Sequence, residues 1–258
     1  MRKLLAAILF VTLTATLFIQ CSSNDPEDTA TLSVQLTDAP NTYEAVNISF
    51  TEIAVKVDSE WVTFLGTPQT INLLNYQNGN TLSLGEHDVP AGHIIQIRLK
   101  IDSANIVVDG VTHEMNVPSG STSGLKFNAN FTLEPGQTFE MVIDFDLGKS
   151  IVTTGPKNNP TGYKLQPVLR IAEIAQTGAI SGTVTNPAAN PLAFAIQTND
   201  TVTTAIVNTT TGEFTLSFLP EFGSYKVVVK DEDDLMFEQI GVSITGGQTT
   251  NLGEVTLQ

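Results

Sequence analysis

Two runs of alternating apolar residues on either side of one Pro-Gly turn dominate the hydrophobic pattern of this chain. Leu125, Phe127, Ala129, Phe131 and Leu133 share one parity; after Glu134-Pro135-Gly136-Gln137, Phe139, Met141, Ile143, Phe145 and Leu147 do the same. A period of two with one buried face marks half-buried strands, and the turn between them predicts a β-hairpin over Gly124–Lys149. Glu140, Asp144 and Asp146 then fall on the other side of the second arm. Upstream, Leu32, Val34 and Leu36 alternate until Thr37-Asp38-Ala39-Pro40. Val46, Ile48 and Phe50 then change parity to Ile53, Val55 and Val57, which predicts a bulge near Thr51-Glu52. Further strands are predicted at 61–65, 70–74, 82–84 and 93–101, the last with Ile95, Ile97, Leu99 and Ile101 inward. Strands at 105–109 and 111–117 flank a turn at Asp109-Gly110, and a final strand of the first domain spans 163–174. Beyond the first twenty residues no stretch keeps the period of an amphipathic helix. The chain reads as all-β, with two β-sandwich-type domains over 31–174 and 178–258 after a cleaved signal peptide.

The amino terminus follows another pattern. Arg2 and Lys3 precede an apolar run from Leu4 to about Ile19, short for a membrane span and interrupted by threonines, so residues 1–20 read as a signal peptide. Cys21, the only cysteine, follows directly, and residues 21–30 form an acidic tether. One cysteine excludes an internal disulfide and a Cys-based metal site. The arrangement resembles a bacterial lipoprotein signal, in which the chain is cut before a cysteine that is then acylated, although Phe18-Ile19-Gln20 departs from the usual small residues. The resemblance implies lipidation of Cys21 and membrane attachment without a transmembrane helix. It places the protein at the bacterial outer membrane, with the acidic tether pointing to surface exposure and the periplasmic face as the alternative.

Charge narrows the partners. Lys and Arg total 12 against 27 Asp and Glu, and removing Arg2 and Lys3 takes the net charge from −15 to −17. Such a body is a poor match for nucleic acid. Asp144 and Asp146, two apart on a strand, place their Cα atoms roughly 6.5–7 Å apart on one side. With Asp38 or Glu140 they form a candidate ligand or cation face, for calcium, or the acid–base pair of a hydrolase. A solvated strand face is the plainer reading. His87, His93 and His113 show no HExxH or HxH spacing, no Ser lies in GxSxG, and Pro118–Lys126 lacks the spacing of a phosphate loop. No enzyme motif and no cofactor other than calcium is therefore indicated. Trp61, Tyr43, Tyr76 and Tyr163 are candidates for a sugar-stacking platform or, more plainly, for the core. Three D-[ST]-aliphatic triplets make Thr29, Ser103 and Thr201 candidate O-glycosylation sites.

Ordered motifs add family resemblances. TDAP at 37–40, Trp61, INLLNYQNG at 71–79, VPAGHIIQIRL at 89–99, VPSGSTSGLK at 117–126, DFDLGKSIV at 144–152 and YKLQPVLRI at 163–171 together resemble the bacterial domain of unknown function 4382. That resemblance implies a secreted or lipid-anchored β domain and supplies no activity. ISGTVTN at 180–186, TTGEFTLSFLP at 210–220 and SYKVVV at 224–229 resemble the carboxypeptidase regulatory-like domain, a small transthyretin-like sandwich with carbohydrate-binding-like relatives. The implied protein is a lipid-anchored, non-catalytic binding module for a glycan or a surface protein. The alternatives are a structural component of a surface assembly, whose sign would be an exposed apolar edge strand, and a carboxylate-dependent hydrolase.

Overall fold

The computed structural model describes residues 28–39, 43–65, 68–118, 123–156, 160–187 and 190–258. The predicted signal peptide, Cys21 and most of the tether lie outside the described residues. The first unit contains β1 (Thr29–Ala39), β2 (Ala45–Val57), β3 (Glu60–Leu65), β4 (Gln69–Asn72), β5 (Leu82–Pro90), β6 (Gly92–Val108) and β7 (Val111–Asn116). It continues through β8 (Leu125–Leu133), β9 (Thr138–Asp146), a one-turn helix α1 (Leu147–Ser150), β10 (Ile151–Thr154), β11 (Gly162–Leu165) and β12 (Leu169–Glu173). One sheet has the order β12-β9-β1-β5; the facing sheet runs β10-β11-β7-β6-β2-β3, with β4 on β2 and β8 on β6. Between them lies a core built on Leu32, Leu36, Phe50, Ile97, Ile143 and Phe145.

β8 and β9 do not form the predicted hairpin. β8 pairs with β6 in one sheet, while β9 lies between β1, to which it is parallel, and β12 in the other. The alternation is real, but it cannot tell two arms paired side by side from two arms facing each other across a core. Here they face, and the Phe131 and Phe139 rings meet at 5.4 Å. The connecting turn has Gly136 at φ +72 and Gln137 N donating to the Glu134 carbonyl, the type II geometry that Pro-Gly favours.

Other local expectations stand or shift for identifiable reasons. The β2–β6 register slips around Phe50–Glu52, where the parity change predicted a bulge. Asp109 and Gly110 both take positive φ, as a two-residue hairpin turn requires. The strands predicted at 93–101 and 105–109 are one strand, β6, and a register slip against β8 between Ile94 and Gln96 turns Ile95 outward. The strand predicted over 163–174 divides at Gln166-Pro167, so β11 serves one sheet and β12 the other.

The second unit follows a 3-10 turn at Ile174–Gln176. It comprises β13 (Thr177–Val184), β14 (Leu192–Gln197), β15 (Asp200–Ile206), β16 (Glu213–Pro220), β17 (Ser224–Lys230), β18 (Met236–Ser243) and β19 (Thr249–Val255). Sheets β16-β13-β19 and β15-β14-β17-β18 enclose a separate core around Ile180, Leu216, Tyr225 and Val227. The protein is all-β, and among the described residues no helix is long and apolar enough to cross a membrane.

Candidate functional site

Two features could carry function: a buried polar junction between the units and an opening along one side of the first sandwich. The junction forms because the second unit covers the outer face of β9. Residues Met141 to Phe145 are all buried, so both faces of that strand are covered at its C-terminal end. Asp144 sits opposite Arg170 of β12 and Thr37 of β1, which puts three polar side chains on the covered face. Arg170 donates through one terminal nitrogen to Asp144 and through the other to the Phe218 carbonyl of the second unit. Phe218 holds φ +55 at a bulge of β16 opposite β13, a conformation costly for a bulky residue. The bulge presents that carbonyl to Arg170. Asn78 Oδ1 accepts from Ile206 N at 2.9 Å, and Lys149 Nζ reaches Asp200 at 3.2 Å and the Thr201 carbonyl at 2.9 Å. A Cβ at Gly79, φ +83, would stand 2.5 Å from Ser217 Oγ, so the close approach of the units there requires glycine.

Asp38 lies at the end of β1 and is 3% exposed. Its Oδ2 accepts from Gln77 Nε2 at 3.2 Å, and its Oδ1 has no hydrogen-bond partner among the described residues. Burial, reinforced by the nearby Asp144 and Asp146 carboxylates, pushes its pKa up to about 9, against which the Gln77 bond works. Asp144 is also raised by burial, with Arg170 opposing. The space enclosed beside these groups is ≈ 10 Å³, room for no more than about one water. Asp38 and Asp144 are both closed off from any substrate here, whereas Asp146, the other member of the predicted acid–base pair, is half-buried outside this space.

The candidate residues therefore separate. Asp144 is a buried ion-pair partner, not part of a solvated face. Asp146 caps α1 by accepting from Lys149 N at 3.0 Å and pairs with Lys149 Nζ at 3.3 Å. Glu140 is exposed further back along β9, and Asp38 lies on the core-facing parity of β1. Among the described residues no three His, Cys, Asp or Glu side chains come together as a metal site would need. Thr29 and Thr201 are half-buried and Ser103 is exposed. Arg98 lies 4.3 Å over the Trp61 ring, Tyr163 is buried against His113, Tyr43 packs on the core, and the half-buried Tyr76 gives its carbonyl to the Thr37 hydroxyl. Arg170, Gln77 and Gly79 were present in the ordered motifs, but nothing in their spacing marks them as a junction.

The side opening has a different character. Among the described residues β8 pairs only with β6 and β12 only with β9, so both sheets end here in free edges. Three adjoining cavities of ≈ 620, ≈ 580 and ≈ 390 Å³ run along them. The first is lined by Phe131, Phe139, Ile171 and Phe222 together with the polar Glu173 and Gln176, and the third by Leu125, Lys126, Phe127 and Lys149. The middle one is lined by six consecutive residues of β8, 126–131, with Leu169 and Ile171 opposite. Consecutive residues of both parities line a cavity only when it follows the backbone edge of the strand. The core-facing Leu125, Phe127, Ala129 and Phe131 stay only half-buried, because the facing sheet stops at β12.

The family model described as "Domain of unknown function (DUF4382)" matches residues 29–167. No curated protein matches the chain. Among solved structures, the Bacillus anthracis TIE protein shares 12% identity, with 90% of this chain and 34% of that chain covered at TM-score 0.25. A leucine-rich repeat protein from Bacteroides thetaiotaomicron VPI-5482 shares 11%, with 90% and 26% covered at TM-score 0.22. This chain thus spans about a third or less of those two proteins. Superpositions this loose carry no argument about function.

Proposed function

We propose, for a chain that belongs to the DUF4382 family of domains of unknown function, a non-catalytic binding role at the bacterial outer membrane, exercised through the side opening of the first sandwich. Acyl chains on Cys21 would hold the protein at the membrane, and the second unit would brace the outer face of β9 and wall only one end of the opening, with Pro220 and Phe222. The observation that carries this reading is the continuous opening, with apolar walls and a polar rim, between two unpaired sheet edges. An exposed cleft of this size that mixes apolar walls with a few polar groups is the ordinary form of a recognition site, and an unpaired edge is otherwise a liability that proteins cover or charge. The burial of Asp144, one member of the predicted acid–base pair, in an ion pair with Arg170 supports the non-catalytic side of the reading.

The test uses a chain starting at Ser22, which keeps both folded units, and its Asn128→Glu, Asn130→Glu variant. Both substituted residues are exposed on the rim of the opening, so the core is spared. Binding is measured against outer-membrane extract and against a glycan panel with calcium. The expected result is a saturable signal that the variant loses. A signal indifferent to the variant, or no signal from either source, overturns the proposal.

A further inference from the structure

The binding role says where a partner sits; the chemistry of the opening says what the partner is. On one side of β8 the backbone pairs with β6. On the other side, among the described residues, its N–H and C=O groups have no hydrogen-bond partner. A row of alternating donors and acceptors along nine residues is complementary to another extended backbone and to little else. The walls are apolar: Phe127 and Phe131 on one side, Leu169 and Ile171 on the other. Such walls suit side chains that alternate apolar and polar, since only every second residue of an added strand points between the sheets.

Charge sets the polarity of the occupant and argues against a second copy. Lys126 lies on the rim, and among the described residues no carboxylate pairs with it; its ammonium stands 5.8 Å from the centre of the Trp61 ring. It is one of only 12 Lys and Arg in the chain. Two copies of the chain without its signal peptide would bring together bodies of −17 each, which repel at ordinary ionic strength.

Resting on the binding role argued above, we propose that the free edge of β8 accepts an extended segment of another protein as an added strand, with alternate apolar side chains entering the opening and an acidic residue meeting Lys126. A strand matching β8 would contribute about seven to nine residues, roughly 25–30 Å of extended chain.

The test is selection of random nonapeptides on the chain starting at Ser22, followed by synthesis of the enriched peptide with each amide N-methylated in turn. An N-methyl group removes a backbone donor without changing the protein. The expected outcome is an alternating apolar consensus with one Asp or Glu. Loss of affinity of at least about tenfold should recur at every second amide and be absent at the intervening ones. Lys126→Glu should weaken the peptide by a similar factor, and replacing the peptide's acid by Lys should restore it. No enrichment over bare support, N-methyl effects without a period of two, or a homodimer in analytical ultracentrifugation that the rim variant dissociates would each overturn the strand proposal. If envelope material or a glycan still binds and the rim variant loses it, the binding role stands and only the strand fails. If both fail, the binding role falls too.

Discussion

Replacing Asp38 by Asn should stabilise the protein at neutral pH and leave it unchanged in acid. The carboxyl is raised from 3.8 to about 9 in the folded chain, chiefly by burial. Between those values the unfolded chain has released this proton and the folded chain holds it. The unfolded state therefore binds fewer protons, and stability falls as pH rises. Each pH unit in that window removes about 1.4 kcal/mol, so at pH 7 the protonated Asp38 costs on the order of 4 kcal/mol. Asn keeps the shape, still accepts from Gln77, and has no proton to lose. Urea unfolding followed by the fluorescence of Trp61, the only tryptophan and a residue of the first unit, reads the difference. With a urea slope of about 2–3 kcal/mol per molar, the variant's midpoint at pH 7 should exceed the wild type's by roughly 1.5 M and converge with it near pH 4. General repulsion within the acidic chain acts on both proteins and cancels in the comparison. Parallel pH profiles for the two proteins, or an Asn variant less stable at pH 7, would refute the reasoning.

Arg170→Met leaves the Asp144 carboxyl buried without its ion-pair partner and removes the bond to the Phe218 carbonyl; calorimetry should show destabilisation of about 3 kcal/mol and a second transition as the units uncouple. Gly79→Ala forces a Cβ to within 2.5 Å of Ser217 Oγ at φ +83 and should cost about 1–2 kcal/mol, read by the same urea unfolding, whereas Gly110→Ala, with nothing within 4 Å, should cost only the conformational part. Cys21→Ser should release the protein from the membrane pellet into the soluble fraction on fractionation of cells; unchanged sedimentation with membranes would remove the lipid anchor.

What the sequence revealed was what is local. The parity change at Thr51-Glu52 and the Asp109-Gly110 turn are decided by neighbouring residues, and both are found in the fold. Which strand lies beside which is decided by distant residues. The apolar alternation of 125–133 and 138–146 fits a hairpin and a pair facing across a core equally well, so β8's free edge stayed hidden behind the expected hairpin. Asp144 read as solvent-facing because β9 alone alternates; only the docking of the second unit buries both its faces. Arg170 offered one signal, a lone cation at an alternating position of the last strand in an acid-rich chain, but its partner Asp144 lies 26 residues away. Ile95 was misplaced by a one-residue bulge in β6, which brings Ile94 inward in its place and leaves Ile97, Leu99 and Ile101 inward as expected.

The central claim is that the β8–β12 side of the first unit is the recognition surface, and photo-crosslinking in the native envelope tests it most directly. A benzophenone side chain at position 128, on the rim of the opening, is compared with one at position 251, an exposed position on β19 of the second unit. Adducts concentrated at position 128, and lost when the Asn130→Glu substitution is added, are the predicted result. Equal adducts at both positions, or adducts at position 251 alone, would contradict the account.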